Sequence, residues 1–176
     1  MTDLEMLASL PASGDPGMVH NDWEAAEKSL RVTFPSSFMR FLDVFGGAKF
    51  DDFLRVYRVG ADNENVDLVA KTLKARHTME VTRPHIQELL SSRGLQVVDL
   101  ISWGGTDNAD MCFLLPHADP KKWAVLTVIG RGQEYDLFEG GPESYLLQVM
   151  RRDFVSDVFP EDFPDDFPGY ERHPDI

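Results

Sequence analysis

Side chains able to do chemistry are plentiful in this chain, but few stand at the spacing that chemistry would need. Asp107-Asn108-Ala109-Asp110 brings several oxygens into a short stretch. It lacks the glycine and closing glutamate of a calcium loop, so it reads as a solvated turn. His20, His77, His85, His117 and His173 are scattered, without the paired spacing that sets two imidazoles on one metal. Cys112 stands between Met111 and Phe113, which favours burial in a strand over use as a nucleophile. The glycines form no run ending in Lys-Ser or Lys-Thr, so no phosphate-cradling loop is expected. With 30 acidic residues, chance pairs of carboxylates are inevitable. A hydrolase would need an enclosed pair with separated protonation behaviour. The sequence therefore nominates no catalytic residue, no metal ligand and no cofactor site.

What remains is charge. The chain carries 30 acids against 17 Lys and Arg, a formal net charge of -13 over 176 residues. That field repels phosphate backbones and anionic lipid and speeds encounter with a basic protein. The partner expected on this ground is a protein, with a basic protein that itself binds nucleic acid as the natural case, and direct nucleic-acid or membrane binding is not expected. Homo-oligomerisation is left open. A single cysteine excludes an intramolecular disulfide and favours a reducing compartment, so the expected location is the cytoplasm. Asp3 and Glu5 precede only a weak apolar patch, unlike a secretory signal, and no run is long enough to span a bilayer.

The elements that would position any site divide the chain into three stretches. Residues 1–20 read as a leader or docked arm, 21–152 as the main domain, and 153–176 as an acidic extension rich in aromatics and proline. Asn21 followed by Glu24 predicts a capped helix with Trp23, Ala26 and Leu30 on one face. Phe38, Phe41, Leu42 and Phe45 have helical spacing, between Pro35 as a start and Gly46-Gly47 as a left-handed exit. Residues 53–59 alternate as a strand. Two helices are expected next, over 65–75 with Val66, Val69, Ala70 and Leu73 inward, and over 84–94 with Ile86, Leu89 and Leu90 inward.

Residues 95–101, 111–115, 123–129 and 133–138 read as strands. The last two join through Gly130-Arg131-Gly132 as an antiparallel hairpin, and Pro142 opens a final helix. The expected class is α+β, a mainly antiparallel sheet flanked by helices. In the extension, Phe159, Phe163 and Phe167 recur every four residues, each pair enclosing two acids. Such a strip either pins its aromatics onto the domain or serves as a recognition surface.

Taken together, Trp23-Glu24-Ala25-Ala26-Glu27, Phe34-Pro35-Ser36-Ser37-Phe38 and Phe41-Leu42-Asp43-Val44-Phe45-Gly46-Gly47 resemble the first motif of the SUKH superfamily, the SMI1/KNR4-like proteins. Trp103-Gly104-Gly105-Thr106, Trp123-Ala124-Val125, Gly130-Arg131-Gly132, Leu137-Phe138-Glu139-Gly140 and the helix around Tyr145 resemble its later region. The resemblance runs from about Asn21 to Arg152. It implies a SUKH-like α+β fold used for protein binding, with bacterial members that neutralise toxin domains, often nucleases, and eukaryotic ones that regulate the cell wall.

Its motif positions also have local physical readings. Glu27 either accepts backbone hydrogen bonds from the loop after Phe34 or is a solvent-facing helix acid beside Lys28, and Trp103 and Trp123 are large enough to anchor either a core or an interface. The leading expectation is an immunity-type module that occludes a toxin. A regulatory or scaffolding module is the alternative, and an enzyme the third reading. Candidate interface residues are Asp51, Asp52, Trp103, Asp107, Asp110, Glu134, Asp136 and Glu139 near strand edges and turns, and Glu161, Asp162, Asp165 and Asp166 in the extension. Trp23, Glu27, Pro35, Phe41, Gly46 and Gly47 are the structural motif.

Overall fold

Local capping and packing account for the first helices of the main domain. Helix α2 (Trp23–Leu30) follows α1 (Asp3–Ala8) and the short strand β1 (Ala12–Gly14). The computed structural model describes residues 1–14 and 20–172. His173, and Pro16 and Gly17 of the leader, lie outside the described residues. Asp22 caps α2, accepting the Ala25 N–H at 3.1 Å. Asn21, expected in that role, is instead a buried bridge. Its amide donates to Asp43 at 2.8 Å and its oxygen accepts the Val59 N–H at 3.1 Å. An amide can satisfy two partners at once, which a cap would not use.

Glu27 accepts the Phe34 N–H at 2.8 Å, closing the link from α2 to Pro35, which precedes α3 (Ser36–Phe45). Trp23 lies edge-on to Phe34 with ring centroids 5.6 Å apart. Phe41 meets the Trp103 ring edge-on at 5.6 Å, and Phe45 reaches Phe50 and Tyr170. Gly47, at φ +86°, turns the chain out of α3 in the left-handed region that glycine enters without strain.

Among the described residues eight strands form one sheet in the order β1-β8-β2-β3-β4-β5-β6-β7. They are β2 (Ala48–Phe50), β3 (Leu54–Val56), β4 (Ile101–Thr106), β5 (Met111–Leu115), β6 (Ala124–Val128), β7 (Tyr135–Phe138) and β8 (Tyr170–Arg172), besides β1. Only β1 and β8 run parallel; every other adjacent pair is antiparallel. The sheet is covered on both faces. On one, Cys112, Leu114 and Val125 join α1, α2, α3 and α6 (Pro142–Met150). On the other, Phe113, Leu115, Leu126 and Val128 join α4 (Leu68–Thr82) and α5 (Pro84–Ser92). Double coverage explains why β5 and β6 read as nearly continuous apolar runs. No helix among the described residues is long and apolar enough to cross a membrane.

Two sequence expectations shift. Helix α4 buries Leu68, Thr72, Ala75 and Met79, whereas Leu73 is exposed. The hydroxyl of Thr72 explains the rotation: it accepts the Ser102 N–H at 3.0 Å, a bond leucine could not make. The strand expected over 95–101 begins instead at Ile101 and runs to Thr106, so Trp103, Gly104 and Gly105 lie inside β4. Trp103 is fully buried, and the β4–β5 register slips beside it between Ser102 and Gly104. Close approach is what demands the two glycines. A Cβ on Gly104 would stand 2.8 Å from the Arg55 carbonyl oxygen, and one on Gly105 would strike the Tyr57 hydroxyl.

The outer segments belong to the same sheet. Leu7 of α1 is fully buried, and Asp3 accepts the Ser144 hydroxyl of α6. β8 lies between β1 and β2, so both outer segments contribute a strand to the fold. Gly104→Ala forces a methyl against backbone that cannot swing aside. Urea unfolding should show it less stable by roughly 1–3 kcal/mol, the usual scale for overpacking.

Candidate protein interface

Two carboxylates fix the course of the C-terminal extension. After α6, Asp153 and Phe154 donate their N–H groups to the Gln148 carbonyl, and the Phe154 ring packs edge-on to Phe138 and Tyr145. Asp136 of β7 then takes hold. One oxygen accepts the Tyr145 hydroxyl at 2.8 Å and the Ser156 hydroxyl at 2.5 Å, and the other accepts the Asp157 N–H at 2.8 Å. Ser156 in turn accepts the N–H groups of Val158 and Phe159. Burial raises the Asp136 carboxyl above its ordinary range, against the opposing effect of these donors.

Further along, Phe159 and Phe163 pack on each other and on Phe53, and Arg152 donates to the Pro164 carbonyl at 2.6 Å. Asp51 fastens the far end, accepting the Gly169 N–H at 2.7 Å and the Asp165 N–H at 3.0 Å. Burial also raises this carboxyl.

These contacts sort the candidate residues. Trp103, Asp110 and Asp136 are buried and Asp51 is half-buried, so none offers its side chain freely to a partner. Asp110 accepts the Thr106 hydroxyl at 2.6 Å and the Gly130 N–H at 2.8 Å, tying the 106–110 turn to the β6–β7 loop. It therefore belongs to the structure of the turn and not to its solvated side. Period two counted back from Phe138 places Asp136 on the same inward face, the one signal in the sequence that would have found it.

Asp52, Asp107, Glu134, Glu139, Glu161, Asp162, Asp165 and Asp166 are exposed. Several are partly neutralised. Asp52 and Asp107 share the Lys49 ammonium at 2.8 and 3.1 Å, and Glu139 takes both arms of Arg93 at 2.6 and 3.0 Å. Those bonds raise Lys49 and Arg93 and lower Glu139. Asp166 lies 3.9 Å from Arg152. Glu161, Asp162 and Asp165 form no ion pair among the described residues.

Two clefts flank the extension. One, of about 490 Å³, lies between the 106–110 turn, Arg131 of the hairpin loop, and Val158 and Pro160. The other, of about 430 Å³, is walled by Phe154, Val155, Phe159 and Phe163 and rimmed by Arg152 and Glu161. Val155 and Phe167 stand 84% and 91% exposed, large apolar groups on an otherwise charged face. Sequence reasoning had the phenylalanines but not Arg131, Val155 or Val158, whose role comes from folding the extension back. Among the described residues no three His, Cys, Asp or Glu side chains converge as a metal set. Burial pushes the Cys112 thiol far above its ordinary range, which leaves it protonated. The chain matches no family model, no curated protein and no solved structure.

Asp136→Ala strands two hydroxyls and an N–H. It should cost about 1–3 kcal/mol in urea unfolding and open residues 153–165 to limited proteolysis. The pH dependence has a definite sign. A carboxyl raised on folding stabilises fully below its unfolded value, near 3.8, and loses that contribution as pH rises through its native value. Asp136→Asn should therefore lose less stability than the wild type across that window, read as urea midpoints at successive pH values.

Proposed function

We propose that this chain is a SUKH-like, immunity-type binding module that neutralises a basic toxin domain by occluding it, a nuclease being the case its charge fits best. One observation carries the reading: the extension is clamped at both ends while Glu161, Asp162 and Asp165 stay unpaired in water beside apolar clefts. Clamped acids bind with little ordering entropy to lose. They steer a cationic surface inward at long range, and Phe154, Val155, Phe159 and Phe163 supply apolar contact at short range.

In a nuclease client these carboxylates would occupy the region that otherwise attracts phosphate. The motifs between Asn21 and Arg152 support the family assignment, and the lone buried Cys112 accords with a reducing, cytoplasmic setting. Occlusion involves no bond-making step.

Co-expression with a basic nuclease toxin domain, drawn from a neighbouring locus if one is encoded there, tests the reading. Wild-type protein should protect cells and form a stoichiometric complex on size exclusion. The triple variant Glu161→Lys, Asp162→Lys, Asp165→Lys should associate about tenfold or more slowly at low salt, with a smaller change in dissociation. Absence of both complex and protection with such a toxin would overturn it.

A further inference from the structure

On the opposite face of the sheet the acidic chain keeps a basic hollow. Lys71 and Lys74, one turn apart on α4, line a cleft of about 290 Å³ together with Tyr57, Ala75, Arg83, Met111 and Asp110, whose carboxylate oxygens already accept the Thr106 hydroxyl and the Gly130 N–H. Neither lysine makes an ion pair among the described residues, although the chain has 30 acids to offer. Lys71 is half-buried with its ammonium 5.1 Å from the centre of the Tyr57 ring. Burial, and then the charge of Lys74, push Lys71 below the ordinary lysine range. Two like charges one helical turn apart, one of them half-buried, repel each other and oppose folding.

Arg83 closes one end of the hollow. Its two terminal nitrogens donate to the carbonyls of Thr82, Ile129 and Gly130, while its charge remains and its buried Nε has no partner among the described residues. Tyr57 brings its ring and hydroxyl to the hollow; burial keeps that hydroxyl protonated, hence a donor, and Gly105 leaves room for it.

We propose that this hollow is a binding site for the phosphate group of a small phosphomonoester. The pair of point-charge ammoniums calls for a dianion, because a single negative charge leaves their mutual repulsion half relieved. A carboxylate is best held by a free guanidinium fork, and the one guanidinium lining this hollow has both terminal nitrogens on carbonyls, leaving only a single buried Nε without a partner. The volume exceeds that of phosphate alone, and the Tyr57 ring, Ala75 and Met111 offer apolar walls for the ester's organic body. No residue of the extension lines the hollow, although Ala109 and Asp110 are common to it and to the cleft beside the extension, and the proposal stands independently of the toxin-binding reading.

Calorimetric titration of the full chain with phenyl phosphate, inorganic phosphate and acetate tests this. Phenyl phosphate should bind most tightly and acetate about tenfold or more weakly than phosphate. Lys71→Gln and Lys74→Gln should each weaken phenyl phosphate binding about tenfold or more, the scale of one charge-assisted hydrogen bond. The control Lys121→Gln, Lys122→Gln, which removes two exposed charges elsewhere, should stay within about twofold. Thermal melts of the ligand-free Lys74→Gln protein should be unchanged or higher, since its head group is exposed and repulsion is relieved. Equal binding by wild type and the Lys71→Gln, Lys74→Gln double variant, or no binding by wild type at millimolar phenyl phosphate, would overturn the proposal.

Discussion

Asp136 sits in β7 with no cation beside it, and three donors from α6 and the extension converge on its carboxylate. A buried carboxylate is tolerable only when its lone pairs are filled, so the position of Asp136 dictates where Tyr145, Ser156 and Asp157 must lie. Once Ser156 is fixed, it passes the constraint to Val158 and Phe159 by accepting their N–H groups. From there the aromatic contacts to Phe53 and the second carboxylate, Asp51, guide the chain to β8. Tyr170 of β8 then packs against Phe45 of the aromatic helix α3. The accessible face of the extension is thus a consequence of what two inward acids hold down.

Total charge gives a poor picture of the surface that results. Acids at the sheet edge are tied to cations: Asp52 and Asp107 to Lys49, Glu139 to Arg93. Exposed pairs of this kind contribute little stability, but they mute the local field. Among the described residues the extension keeps acids without ion pairs at its crest, while the far face holds two lysines that form no ion pair. A chain of net charge -13 therefore presents two regions of opposite sign, on opposite sides of one sheet. Partner selection at each would follow the local sign, since screening confines such fields to about 10 Å at ordinary salt.

Much of the fold was legible because it is encoded at short range. Phe38, Phe41, Leu42 and Phe45 declare α3, Pro84 and Pro142 mark the starts of α5 and α6, and the glycines around Arg131 place the β6–β7 hairpin. The strands β1, β2 and β8 escaped because three residues are too few to show a period. Helix α4 was misphased because a buried threonine, chosen for a hydrogen bond to Ser102, interrupts its apolar stripe.

The sequence by itself determined the α+β class, the order of the main helices and strands, and the excess of acid, since periodicity, turn residues and composition need no knowledge of distant partners. Only the tertiary structure decided which acids face water. Asp51 finds its donors 114 and 118 residues away, and Asp136 finds two of its own 20 and 21 residues away. An aspartate that will be buried looks the same in sequence as one that will be exposed. The difference lies in whether folding delivers enough N–H and O–H groups to replace the water it gives up.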